Sequence, residues 1–454
     1  MQQGWRIAAT VVIALGYSSA YAAGPGVPSL GSTAQDYVGY AVSDLPDHYQ
    51  APALANANNT PADNPITNAG AELGRVLFYD GRLSHNDGTS CASCHVQENG
   101  FSDPNQFSIG FEGGLTGRHS MGLTNAAYYA RGRFFWDERA STLEEQVLMP
   151  IEDAVEMGSN LDDLEQELQA TEFYPELFER AFGDDQVTSE RMAAAMAQFV
   201  RSMVSYQSKF DQALEANQLS DVLTADEAAG HAIFGQRCDS CHRSDAQIAP
   251  SPNNIGLDEV DADPGDENGD FKVPSLRNIA VRDGFMHDGR FTTLEEVIEF
   301  YSSGVQDNDN LGRGLSPGGF GFTETEKAQL LAFMNTLTDD AFLTSDLFSD
   351  PFVDLPGDYN GDGLVDADDY LVWKEDFLAA ADQFAPLMAD GDNDGIVNIA
   401  DYSIWRDNLG ARWDDGVAAA VSFASTPEPG ASVLVLALLA AGCGLRQRQC
   451  CRSG

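Results

Sequence analysis

The segment ERMAAAMAQFVRSMVSY sets Met192, Met196, Phe199 and Met203 three and four positions apart, the period of a helix with one apolar face turned to a core. Two more helices are marked by their first turns. Thr224 precedes Glu227, and Thr323 precedes Glu326 ahead of KAQLLAFMNTL; in this capping box each side chain satisfies a free backbone N–H of the other's turn. The box recurs at Thr142–Glu145 and Thr293–Glu296, each opening a shorter helix. Strict alternation of β-branched residues is scarce, so the chain reads as mainly α. Residues 24–65 are rich in Ala, Pro and Asn and predict a linker. Purely apolar runs occur at both ends. Ile7–Gly16 follows Arg6 and precedes Ala20-Tyr21-Ala22, which predicts a signal peptide over residues 1–23. Ala431–Leu445 is too short for a permanent membrane span.

The pattern is duplicated. FFWDERASTLEEQVLMP (Phe134–Pro150) returns as FMHDGRFTTLEEVIEFY (Phe285–Tyr301) without a gap, Trp136 falling on His287; LTNAA at Leu123 returns as LRNIA at Leu276. Each copy follows a C-x-x-C-H unit, first Cys91, Cys94 and His95, then Cys238, Cys241 and His242. Two domains of one design follow, over 66–222 and 223–350. Beyond them DYNGDGLVDADD and DGDNDGIVNIAD have the spacing of calcium loops: Asp358, Asn360, Asp362 and Asp369, then Asp390, Asp392, Asp394 and Asp401, with Gly363 and Gly395 at the sharp turn. Each is followed by an aromatic helix, giving a small calcium-binding helical module over 351–412 and a linker over 413–425.

Charge narrows the partners. With 25 Lys+Arg against 71 Asp+Glu the formal net charge of the 454-residue chain is -46, which repels nucleic acid and anionic membrane surfaces and suits cations. Of 7 cysteines, Cys443, Cys450 and Cys451 lie in the extreme tail and four lie in the C-x-x-C-H units. A shared zinc site needs its cysteine pairs much closer together, and a redox dithiol has no use for the histidine. Covalent haem attachment uses all three residues, two as thioethers and the histidine as proximal iron ligand. In the register of the repeat Tyr301 takes the place of Pro150. If that position overhangs the haem, the second iron receives a phenolic oxygen and the first stays open; a half-buried helix tyrosine is the plain alternative.

GRVLFYDGRLSHNDGTSCASCH, FFWDERASTLEEQ, PIEDAVEMG, VPSLRNIA and MHDGRFTTLEEVIEFY, in that order over residues 71–343, resemble the bacterial di-haem cytochrome c peroxidase and MauG family. The resemblance implies two cytochrome c-like haem domains carrying covalent c-type haems, a calcium ion between them, and Trp136 on the electron path. It also implies a peroxide pocket at the N-terminal haem, with Gln146 orienting peroxide and Glu156 moving its proton. The peroxidase branch has a methionine ligand where this chain has Tyr301, and the MauG branch has a tyrosine; Met286 is the competing ligand. Gly110-Phe111 stands where the peroxidase branch has a removable histidine, which leaves the first pocket open. His119 is a second candidate for that iron or a calcium-shell residue, and Asn125 a candidate calcium contact. Arg282-Asp283-Gly284 replaces the family's carbonyl donors to calcium.

The implied activity is reduction of hydrogen peroxide at the N-terminal haem, with electrons passed through the C-terminal haem from a small donor protein, a cytochrome or cupredoxin. The alternatives are MauG-type oxidation of residues in a partner protein, and a non-enzymatic di-haem electron carrier. The loop pair resembles a dockerin, which implies a cohesin-like docking partner. The tail over 426–454, with Pro427-Glu428-Pro429, resembles a PEP-CTERM sorting signal. An exported protein is expected, periplasmic or at the cell surface, touching membrane only through the tail before processing.

Overall fold

The capping boxes fold as their spacing predicts. Thr224, Thr293 and Thr323 each accept a hydrogen bond from the N–H three residues on, and their glutamates reach back, starting the helices Ala225–Arg237, Leu294–Glu299 and Glu324–Asn335. Thr142 starts Leu143–Glu152 by accepting from Glu145 N–H, while the Glu145 carboxylate turns to the N–H of Ser141. These elements belong to a computed structural model that describes residues 28, 30, 39–41, 45–249, 251–352, 355–360, 364–379, 389–391 and 396–411. The expected signal peptide and sorting tail lie outside the described residues, as do Asp362, Asp392 and Asp394. Among the described residues there is no β-strand, only isolated bridges, and no helix is long and apolar enough to cross a membrane.

Two helix pairs organise the molecule. Asn68–Tyr79 packs on Ser189–Ser202, and Ala225–Arg237 packs on Glu324–Asn335. Met192, Met196, Phe199 and Met203 are all buried in the first of these cores. At each crossing a glycine lies against the backbone of the opposite helix. A Cβ on Gly74 would sit 2.1 Å from Ala195 O, and one on Gly230 would sit 1.9 Å from Gln329 O. Four residues beyond each glycine is a phenylalanine. Phe78 meets Phe199 at 5.3 Å between ring centroids and Phe234 meets Phe333 at 5.2 Å, so the repeat extends to a Gly-x-x-x-Phe that the sequence reading did not single out.

The two halves are joined by a buried polar network. Asn125 and Asn278, the matching asparagines of LTNAA and LRNIA, both have left-handed backbones, φ 62° and 60°. The Asn125 side-chain oxygen accepts from Ser205 N–H, and that of Asn278 from Asp339 N–H. Asp339 in turn accepts from the Ser205 hydroxyl and from the N–H groups of Tyr206 and Gln207. Nearby, fully buried Arg277 pairs with Asp211 at 2.6 Å, and Asp211 also meets His48 at 2.8 Å.

Two segments depart from the expected boundaries. Within the predicted linker, Asp47–Gln50 and Pro52–Ala55 are short helices, and Tyr49 and Leu54 are buried in a core with Tyr128, Tyr129 and Ile248. Tyr49 donates to Ser205 O and accepts from the Asn125 amide, which gives this segment a fixed seat. At the other end Phe342, Phe348 and Phe352 pack in the core of the first helix pair rather than the second. Their carbonyl neighbours cap otherwise orphaned donors: Arg75 donates to Asp346 O and Tyr79 to Phe348 O, each at 2.7 Å.

Residues beyond 355 form a separate small core of Tyr359, Trp373, Ala389 and Val397, flanked by Tyr370, Tyr402 and Trp405. Ala367–Asp376 and Ile399–Asn408 are the helices expected after the two acidic loops. Asp369 accepts from the N–H groups of Tyr359, Asn360 and Asp366, and Asp401 from those of Gly391 and Asn398. Each carboxylate thus gathers its own loop.

The glycine crossing is testable within one helix. Gly230→Ala forces backbone apart and is expected to destabilise the chain by about 1–3 kcal/mol or more, as overpacking does. Gly235→Ala meets nothing within 4 Å and is expected to be neutral or to stabilise by up to about 1 kcal/mol through helix propensity. Denaturant unfolding of the two variants compares them directly.

Candidate functional site

Each C-x-x-C-H unit ends in an imidazole held by the main chain. His95 Nδ1 meets Phe101 O at 2.9 Å, and His242 Nδ1 meets Gln247 O at 3.2 Å. With Nδ1 donating to a carbonyl, Nε2 carries the lone pair and is oriented as a ligand. Burial holds both rings neutral: the His95 pKa is lowered, and that of His242 falls to about 4. Phe78 and Phe234, set by the glycine crossings, lie 6.4 Å and 6.1 Å from the respective imidazoles. The four cysteines are free thiols rather than disulfides.

Each histidine opens on a large cavity. The first gathers His95, Gln146, Pro150 and Glu156 with Trp136, Phe134, Tyr129 and Leu143. The second gathers Cys238, Cys241 and His242 with Met286 and Tyr301, closed by apolar side chains such as Phe234, Leu276, Ile298 and Met334. With their mouths included, the empty volumes are ≈ 1540 Å³ and ≈ 1660 Å³, room for a prosthetic group in each. The donor sets fit c-type haems: each unit has two free thiols in sequence with a neutral, oriented imidazole, the second at a mainly apolar cavity lined by its own cysteines and the first at a cavity of mixed polar and apolar walls. Residues 146, 150, 156 and 136, far from His95 in sequence, are thereby brought to one space.

The family model described as di-haem cytochrome c peroxidase matches residues 68–219. The chain is 33% identical over 289 residues to the methylamine utilization protein MauG of Methylophilus methylotrophus, covering 61% of this chain and 84% of that protein. It is 34% identical over 288 residues to the cytochrome c551 peroxidase of Nitrosomonas europaea, covering 60% and 80%. A crystal structure of a MauG-like protein associated with microbial copper homeostasis superposes with TM-score 0.59 at 33% identity, covering 68% of this chain and 99% of that one. The chain belongs to the di-haem cytochrome c peroxidase and MauG family. It is a haem-dependent oxidoreductase.

In this di-haem peroxidase-family chain the wall between the cavities is shared. Trp136, His119, Gly122, Lys272 and Pro274 border both. Trp136 donates its indole N–H to His119 O at 2.7 Å, and its carbonyl accepts from Lys272 N–H at 2.8 Å. His119 is buried, with Nε2 at 3.0 Å from the Ser102 hydroxyl and Nδ1 at 3.1 Å from Asn105 O, so both ring nitrogens are engaged within the protein. Gly284 leaves space for that ring; a Cβ there would lie 2.3 Å from His119 Cε1. The glycine of Arg282-Asp283-Gly284 therefore has a steric reason. Asn125 spends its amide on Tyr49 and Ser205, and no group of three or more His, Cys, Asp or Glu side chains among the described residues is arranged to hold a metal ion.

Glu156 is set in a turn in which Asp153 accepts from the N–H groups of Val155 and Glu156. Gly110 makes this possible, since a Cβ there would lie 1.6 Å from Val155 O. Burial, with Asp153 adding to it, raises the Glu156 pKa, and Arg139 opposes.

The matching helix in the second half ends differently. Leu294–Glu299 runs into a π-helical turn, Phe300–Gly304, which carries Tyr301. Such wide turns cluster at functional sites. The turn is held from outside: Phe320 N–H donates to Tyr301 O and Gly321 N–H to Ser302 O. Burial, and then the neighbouring Cys238 and Cys241, push the Tyr301 phenol above its ordinary pKa. Its hydroxyl makes no hydrogen bond among the described residues. Met286 has φ 70° and repeats Phe135 at 67° in the matching turn, so its backbone belongs to the duplicated framework.

Gly319, with φ 70°, sits where a Cβ would be 2.3 Å from Tyr301 O. Gly319→Ala is expected to displace the π turn and to change the optical spectrum of the second haem while leaving the first unchanged. Difference spectra of the holoprotein check this.

Proposed function

We propose that this protein is an exported di-haem peroxidase that reduces hydrogen peroxide in the His95 cavity, with electrons delivered through the His242 half from a small cytochrome or cupredoxin. The observation that carries this reading is the convergence of His95, Gln146 and Glu156 on one cavity whose wall, including Trp136, is shared with the cavity of His242 and Tyr301. Bound at these histidines, the haems supply the redox centres for H2O2 + 2e− + 2H+ → 2H2O. The protein's part is proton handling and orientation. Glu156 takes the proton from one peroxide oxygen and returns a proton to the other as the O–O bond breaks, and the Gln146 amide fixes the direction of attack. Pro150 has no donor atom to occupy the open side.

In the second half Tyr301 is the proposed closing ligand, with Met286 as its competitor. A phenolate ligand favours the oxidised iron. That same residue favours a second reading, MauG-type oxidation of side chains in a partner protein, with Trp136 as the path by which the two haem sites would share the oxidising charge. The acidic loops with Asp358, Asn360, Asp369, Asp390 and Asp401 are proposed to bind calcium and to dock a cohesin-like partner. The aromatic core and loop-gathering aspartates support a module of this size.

Glu156 must be ionised to accept the first proton. Because burial raises its pKa, the base form is lost as pH falls through a value above the ordinary glutamate range. The rate of the peroxide reaction is therefore expected to rise as pH rises through that raised value, above the ordinary glutamate range. Glu156→Gln is expected to slow the reaction by roughly 10²–10⁴-fold and to abolish the acid limb. A limb that persists in this variant would remove Glu156 from the proton transfer, and stopped-flow spectra of the holoprotein from pH 4 to 8 measure both.

A further inference from the structure

Aligning the two copies of the turn sets Glu138 of WDER against Gly289 of HDGR. Both have left-handed backbones, φ 53° and 62°. The second copy uses the residue that this geometry favours, and the first keeps a glutamate there at a conformational cost. The Glu138 side chain is wholly buried. One carboxylate oxygen accepts the phenolic hydrogen of Tyr129, and the other faces the Arg131 guanidinium at 2.6 Å. Tyr129 is itself 1% exposed and borders the His95 cavity. Over its ring stands Lys272 Nζ, 4.2 Å from the centroid and bonded to Arg133 O, its pKa lowered by burial to about 7. Arg131 is 38% exposed and lies 3.7 Å from Asp266, so the far side of Glu138 communicates with the surface.

This arrangement suits one kind of chemistry. A phenol at the edge of an oxidising cavity can lose an electron, but the phenol radical cation so formed is a very strong acid and does not persist beside a carboxylate. The electron can leave only if the proton leaves too, and the Glu138 carboxylate is bonded to that proton. We propose that Tyr129 is a redox-active relay for the His95 site and that Glu138 is its proton acceptor. Tyr129 would give one electron to the haem held by His95 after peroxide has oxidised it; the Tyr129 O–H bond breaks, the proton passes to Glu138, and a neutral tyrosyl radical remains. A one-electron donor arriving at the Arg131 surface refills it, with the proton returned from Glu138. The inference rests on the peroxide reading above.

The holoprotein, mixed with hydrogen peroxide and freeze-quenched, is expected to show a tyrosyl radical in its electron paramagnetic resonance spectrum, identified by the altered hyperfine pattern with ring-deuterated tyrosine. Tyr129→Phe is expected to remove that signal. Glu138→Gly, which suits the backbone and matches Gly289, is expected to fold, to reduce the radical yield at least tenfold and to lose the solvent deuterium effect on its formation. A tyrosyl signal of full amplitude in Tyr129→Phe, or unchanged yield and isotope effect in Glu138→Gly, would overturn the proposal. A wild-type haem band that shifts with peroxide while no tyrosyl signal forms overturns this relay alone. A band indifferent to peroxide overturns the peroxidase reading and the relay together.

Discussion

Each half of the protein is built around one imidazole whose Nδ1 is fixed by a main-chain carbonyl. That hydrogen bond sets the tautomer, leaves Nε2 as the lone-pair nitrogen at the edge of a cavity, and lets burial keep the ring neutral. The other features of the half serve to hold it. Gly74 and Gly230 let two helices touch backbone to backbone, which places Phe78 and Phe234 beside His95 and His242. Asn125 and Asn278, in matching left-handed conformations, tie the two halves through Ser205 and Asp339.

Against this shared frame the differences between the copies stand out. The helix after the first turn ends in Pro150 beside Gln146 and Glu156; the helix after the second opens into a π turn presenting Tyr301. The first turn carries Trp136 and Glu138, where the second carries His287 and Gly289. A duplicated scaffold thus carries a carboxylate and an amide on one side and, on the other, a phenol whose hydroxyl has no hydrogen-bond partner among the described residues. Trp136, bonded to the backbone of both His119 and Lys272, lies between them.

Much of this was legible in the sequence because the carriers are short and local. The C-x-x-C-H units, the capping boxes and the gap-free repeat need no tertiary information, and the family resemblance carried by the short motifs implied Gln146 and Glu156, which the fold brings to one cavity with His95. Other features depend on distant partners. The π turn is held by N–H groups of Phe320 and Gly321, and the burial of Tyr49 and Leu54 was hidden by Ala- and Asn-rich surroundings. The return of Phe342–Phe352 to the first core answers orphaned donors on Arg75 and Tyr79 that no periodicity reveals. Glu138 was within reach: laying WDER over HDGR pairs a glutamate with a glycine, a signal of strain at that place.

The central claim is an asymmetry of the two irons, the first with a free coordination position above His95 and the second closed by His242 and a protein oxygen. Low-temperature electron paramagnetic resonance of the resting ferric holoprotein tests it most directly. The account requires one high-spin and one low-spin haem, with hydrogen peroxide consuming the high-spin signal. Two low-spin haems that ignore peroxide would contradict it and leave a protein that only carries electrons.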